Sequence, residues 1–182
     1  MLFRSENCHA ICDMLASSDR LISPTRFHNS VQNVTAGYWG IATGARTNAT
    51  VVCAYDGSAS AGLLEALTLV VVEHSCTLLI AYDCSYPEPL HGARPIADAM
   101  GFALLLAPAW SERSLARLSV APGGDAITRL DDSVLERLRT SIPAARALPL
   151  LRTLARCEAR HLALEYLDGP SGGGLGVEVS PC

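Results

Sequence analysis

Between residues 60 and 74 the chain is apolar on nearly every face a helix would present, with Leu63, Leu64, Leu67, Leu69, Val70, Val71 and Val72. A helix that is hydrophobic all round lies inside a protein, between layers. Its flanks can supply those layers. Residues 50–55 (TVVCAY) are a short β-branched run bounded by turn residues, and residues 76–82 (CTLLIAY) are a second apolar run. Both predict buried strands. Asp56-Gly57-Ser58 breaks the first run and brings helix-cap chemistry. Strand, tight turn, buried helix and strand make a βαβ unit, which predicts a parallel pair and a right-handed crossover.

The rest of the chain can be read around that unit. The first fifteen residues form an amphipathic helix with Ile11, Met14 and Leu15 on one side, and a second helix starts after Ser23 or Thr25. The small residues of 36–44 (AGYWGIATG) suit close approach of another backbone. Residues 83–95 are a loop with three prolines. Strands are expected at 102–107 and 115–120, paired across 108–114, with a turn at 122–125. Helices follow at 133–140 and 143–159, the latter with Pro143 in its first turn. Strands at 161–167 and 175–179 make a terminal hairpin around the glycine-rich 168–174. The expected class is α/β, with a mixed sheet and a buried central helix, in a single domain spanning 1–182.

Composition removes several function classes. Apolar residues are 49% of the chain and charged ones 18%, so it folds, and 182 residues bury a core without disulfide or metal staples. The net charge of -4 comes without a clustered basic stripe, so no nucleic-acid partner is expected. All fourteen basic residues are Arg, which excludes Schiff-base chemistry and a lysine-dependent phosphate loop. The seven cysteines show no C-x-x-C pair, and the histidines no H-x-x-x-H or H-E-x-x-H pattern. Buried reduced thiols in a cytoplasmic protein are expected, with no metal and no cofactor. The N-terminus lacks the apolar core of a signal peptide. The greasiest stretch, 61–82, is interrupted by Glu65, Glu73 and His74, so no membrane span is expected.

Chemistry concentrates at the strand-to-helix turn 54–60 (AYDGSAS). A side chain there sits where orphan N–H groups and the helix dipole activate a nucleophile. Residues 58–62 (SASAG) are an imperfect G-x-S-x-G elbow centred on Ser60. The competing reading is that Ser58 and Ser60 cap the helix. A serine hydrolase would also need an acid, Asp83 or Asp168, and a base, His91 or His161; no spacing selects among them.

Residues 23–33 (SPTRFHNSVQN) and 36–42 (AGYWGIA) resemble the signature of the β-ketoacyl-synthase-like family, whose members include chain-length-factor-like subunits of aryl polyene, type II polyketide and fatty-acid-type clusters. Residues 62–66 (GLLEA), 78–83 (LLIAYD), 87–90 (PEPL) and 147–152 (ALPLLR) continue the resemblance in order. It implies the N-terminal half of a thiolase-type fold. In active members the elbow carries a cysteine that attacks an acyl thioester, aided by two histidines in the other half. Here the elbow-equivalent positions are Asp56, Gly57 and Ser58, none of them a thiol, and Cys53 falls inside the preceding strand. Gln32 stands where the family usually has His, and the chain begins late relative to the family, as a truncated copy would.

The resemblance therefore implies a non-catalytic subunit. It would pair with an active β-ketoacyl synthase, meet the acyl carrier protein through that partner, and set chain length by shaping the acyl tunnel. Phe27, Val31, Tyr38 and Trp39 are the interface or tunnel candidates. The alternatives are an acyl-thioester enzyme, a ketosynthase, acyltransferase or serine hydrolase using Ser58, Ser60 or Cys53, and a degraded copy without function.

Overall fold

The computed structural model describes residues 2–123, 126–167 and 173–182, with side chains from Ser5 onward. The chain forms two compact units, residues 1–52 with 84–98, and residues 53–83 with 99–182.

The first unit is helical. Helix α1 (Leu2–Ala16) packs against α2 (Pro24–Ser30), and the Cys8 thiol donates to the Ser30 carbonyl at 3.6 Å. Helix α2 starts where its sequence says it should: Ser23 Oγ accepts from the Arg26 N–H, and Pro24 stands where no N–H is needed. Helix α3 (Val34–Thr43) ends at Gly44, which is left-handed with φ 69°. The glycine spacing at 36–44 thus belongs to a helix. Within this chain a Cβ on Gly37 would meet nothing within 4 Å, and one on Gly40 would make only ordinary contact, 3.5 Å, with the Ala45 carbonyl. A single helical turn, α5 (Leu90–Ala93), lies in the proline loop.

The second unit is built on α4 (Ser58–Glu73), as its composition demands. Ala59, Leu63, Ala66 and Val70 are buried at i, i+4, i+7 and i+11, a single stripe down the helix. On one side lies an antiparallel ribbon, β1 (Thr77–Asp83) with β2 (Met100–Leu106), registered with Leu79 opposite Leu104. Gly62 lets this ribbon come close: a Cβ there would sit 3.2 Å from Leu79 Cδ1.

The other sheet has the order β3-β5-β4, from β3 (Ala116–Pro122), β5 (Gly174–Pro181) and β4 (Arg160–Glu165). Its Leu162, Leu164, Leu175, Val177 and Val179 share one core with Leu63, Ala66, Val70 and Leu106. Burying a side chain of that size is worth about 1.5–3 kcal/mol each. Helix α6 (Ser133–Ser141) is capped by Asp132, whose carboxylate accepts from the Val134 and Leu135 N–H groups. A 3-10 turn (Pro143–Ala147) leads into α7 (Leu148–Ala155), so the single helix expected over 143–159 is two pieces.

The α/β class, the position of the central helix and the β4–β5 hairpin match expectation, but that helix is buried along one stripe rather than all round, with Val71 and Val72 exposed; the hairpin tip at 168–172 and part of the turn at 122–125 lie outside the described residues. Four expectations are corrected. Residues 50–54 form no strand, because a β-branched run becomes one only where a neighbour offers a ladder. The Val51 carbonyl instead accepts from Gln32 Nε2. No parallel pair or crossover therefore forms, and every described ladder is antiparallel. Strands β2 and β3 do not pair, since β3 instead sets Leu118 and Val120 opposite Val179 and Val177. The longer loop costs little, about 0.6 kcal/mol per doubling, and core burial outweighs it. The strand expected buried at 76–82 is half-buried, with Leu78, Ile80 and Tyr82 exposed on its outer face.

Candidate functional site

The turn into α4 is closed by its own atoms. The Ala54 N–H donates to Ser58 Oγ at 2.9 Å, and that hydroxyl donates to the Tyr55 carbonyl at 2.7 Å. Ser58 thus ties the turn and does not cap the helix N–H groups, its proton and one lone pair both committed to the turn. Tyr55 takes a left-handed φ of 52°, which costs a residue with a Cβ about 1–3 kcal/mol. The strained residue of the elbow is therefore Tyr55, one position before those expected, and its side chain is 63% exposed.

Gly57 has no room for any side chain. A Cβ there would collide with the Tyr166 carbonyl oxygen and lie 3.0 Å from its carbon. The position that the resemblance assigns to a nucleophile is roofed by backbone from the end of β4. Ser60 is 1% exposed and points into the core side of α4.

Asp56 is held by charge. Its carboxylate pairs with Arg146 at 3.2 Å; Arg146 also pairs with Glu165, and Arg139 joins Glu165 at 3.0 Å and Glu136 at 2.7 Å. The Arg139 side chain is 5% exposed and that of Arg146 14%, so both guanidiniums are largely out of water. The Arg139 hydrogen bond holds the Glu136 carboxyl down at about 2, helped by the Leu130 N–H. Glu136 in turn raises Arg139 above its ordinary value. This chain of pairs links the elbow turn, α6, the 3-10 turn and β4. Nothing local in the sequence signals it, since Asp56 and Arg146 are 90 residues apart.

The other candidates are scattered. Asp83 is buried and accepts from the Ala144 N–H at 2.7 Å, a structural tether. Asp168 is outside the described residues. His161 is exposed on β4 opposite Glu178, and His91 lies on α5. No group of three His, Cys, Asp or Glu suited to a metal occurs among the described residues.

The thiols overturn the expectation of burial: none of the seven forms a disulfide and none is buried, with Cys53 exposed. Cys53 lost its expected shelter when residues 50–54 formed no strand. The stretch Tyr55–Glu73 is long and apolar enough on composition to cross a membrane. Its Leu63, Ala66 and Val70 nevertheless pack into the core, as in a core helix.

In the first unit, Phe27 on α2, Val31 at its C-terminal end, and Tyr38 and Trp39 on α3 are all exposed. The Tyr38 hydroxyl donates to Asn29 Oδ1 at 2.9 Å, fixing α3 against α2. His28, Val31, Val34, Gly37, Tyr38 and Ile41 line an open groove of about 190 Å³.

The sequence profile of the β-ketoacyl synthase N-terminal domain matches residues 6–161. Among solved structures, the chain is similar to one chain of a ketosynthase (ApeO) in complex with its chain length factor (ApeC) from Xenorhabdus doucetiae. The TM-score is 0.66 at 22% identity, over 95% of this chain and 64% of that one. The likeness is one of fold, the thiolase-like fold of ketosynthases, and the chain spans under two thirds of its neighbour. No curated protein matches.

Proposed function

The chain belongs to the β-ketoacyl synthase N-terminal domain family, and from that premise we propose that it is a non-catalytic ketosynthase-like subunit. In this reading residues 1–182 act as one domain that pairs with an active β-ketoacyl synthase in the cytoplasm. It shapes the acyl tunnel and so sets chain length in polyene, polyketide or fatty-acid-type biosynthesis. The acyl carrier protein is met through the partner. The observation that carries the reading is the elbow. Asp56 is ion-paired, Gly57 admits no side chain and the Ser58 hydroxyl is engaged in the turn, so no nucleophile stands where a ketosynthase needs one. The solved neighbour comes from a complex of a ketosynthase with its chain length factor, which supports pairing as the mode of action.

The test is co-expression with the ketosynthase encoded nearest to it, with only this chain tagged. The expected result is a stoichiometric complex. A soluble chain that retains no ketosynthase would refute the subunit reading, and an insoluble chain that no partner rescues would favour a degraded copy.

The exposure of Cys53 favours one second reading, an acyl-transfer enzyme. Its thiolate would attack the carbonyl of an acyl thioester, forming a new thioester as the carrier thiol leaves with a proton. Incubation with an acyl thioester followed by intact mass measurement decides between them. The subunit reading expects no adduct, and an adduct lost in Cys53→Ser would establish the enzyme.

A further inference from the structure

Of the seven cysteines, only Cys8 and Cys12 share a secondary-structure element; the other five lie outside every described helix and strand. The two stand four residues apart on α1, one turn along and about 40° around the helix, so both thiols lie on one side of it. Cys8 is partly buried and its Sγ donates to the Ser30 carbonyl at the end of α2, while Cys12 is exposed. The pair thus sits beside the α1–α2 seam, with one thiol anchored and the other open to solvent.

Length decides what two thiols can do at this spacing. Side chains at i and i+4 hold their Cβ atoms about 5–6 Å apart, whereas a disulfide needs about 3.5–4.5 Å. An intact α1 therefore resists joining Cys8 to Cys12 by an S–S bond of about 2.05 Å. A metal ion between the sulfurs lengthens the bridge: with each metal–thiolate bond near 2.3 Å, the sulfurs can stand about 4.6 Å apart. Ligand count then selects the ion. No third Cys, His, Asp or Glu joins the pair among the described residues, and the neighbouring His9 Nε2 instead lies 3.3 Å from Asp13 Oδ2. Structural zinc wants four ligands, and calcium and magnesium want oxygen. Two soft thiolates alone suit a thiophilic ion of low coordination number.

We propose that Cys8 and Cys12 form a two-coordinate site for Cu(I) on α1. Binding forms two Cu–S bonds as both thiols release their protons to solvent, and the copper stays Cu(I), so the step needs no oxidant or reductant. The two bonds staple successive turns of α1 and replace the Cys8 donation to Ser30, so occupancy acts where α1 packs on α2. The site is independent of the subunit reading, and its test needs no ketosynthase.

The experiment titrates Cu(I) into the reduced full chain, without oxygen, in competition with the chromophoric chelator bicinchoninate. The expected result is one equivalent retained per monomeric chain. Affinity should fall about 100-fold in Cys8→Ser and in Cys12→Ser, since each leaves a single bond, and stay unchanged in Cys53→Ser. X-ray absorption of the wild-type complex should show two sulfur neighbours and no nitrogen, a readout that stands even if Cys8→Ser unfolds. Loss of all copper to the chelator would overturn the proposal, as would equal retention by Cys12→Ser. A nitrogen neighbour would bring in His9, and a copper-linked dimer would place the ion between two chains; either outcome also overturns it.

Discussion

The carbonyl oxygen of Tyr166 occupies the space in which a side chain on Gly57 would begin. Chain leaving β4 is thereby laid directly on the turn that opens α4. Gly57→Ala forces either the turn or this segment to move, and overpacking of this kind costs at least about 1–3 kcal/mol. Urea denaturation should report that loss, and Gly57→Cys should fail equally as a way to install a nucleophile. A stable, acylatable Gly57→Cys protein would contradict the geometry.

Arg146 holds two carboxylates, Asp56 and Glu165, and its side chain is largely buried. Arg146→Met takes this partner from Asp56 and leaves Glu165 with Arg139 alone, and because both carboxylates keep some exposure the loss should be about 1–3 kcal/mol. The unfolding midpoint in urea should fall accordingly, with part of the loss recovered by Asp56→Asn in the same chain. A recovery of zero would place the effect in packing of the arginine stem.

Acid should destabilise the fold through Glu136. Its folded value of about 2 lies below the ordinary 4.5, so its contribution is present above about 4.5 and is lost as pH falls toward about 2. Glu136→Gln should flatten the stability profile across that window while lowering stability at neutral pH. Thermal melts at a series of pH values check both slopes.

Trp39 is half-exposed on α3 and contributes little to folding by itself. Trp39→Ala should leave the melting temperature of the isolated chain within the small range usual for surface changes, about 0.5 kcal/mol. The same variant should lose the co-purifying ketosynthase. Loss of both fold and partner would mean that Trp39 is structural.

Five thiols, Cys12, Cys53, Cys76, Cys157 and Cys182, are exposed and free. Iodoacetamide should label all five in the native protein, with Cys8 and Cys84 slower because both are only partly accessible. Intact mass against time measures this directly.

Some of this architecture is legible from residue order because its causes are local. Ser23 and Pro24 start α2 and Asp132 starts α6 through side chains and backbone groups within a few residues. The apolar run 60–74 predicts a core helix, of which one stripe is buried, and the apolar runs of β4 and β5 around a glycine-rich turn predict their hairpin. The family resemblance is likewise written in contiguous residues, above all 23–33 and 36–42. What the order of residues could not decide is which distant groups meet. Pairing of β1 with β2 and of β3 with β5 follows from shared burial around α4, and residues 50–54 stay outside any ladder although their propensity is high. The elbow depends on the same kind of encounter. Gly57 lies under Tyr166 and Asp56 against Arg146, contacts that span about a hundred residues, and only the closed core brings them together. Strand propensity and cap chemistry act along the chain, whereas steric exclusion and ion pairing act through space. For that reason α2, α4 and α6 could be read in advance, whereas α3, the break between 147 and 148 and the closing of the elbow to a nucleophile could not.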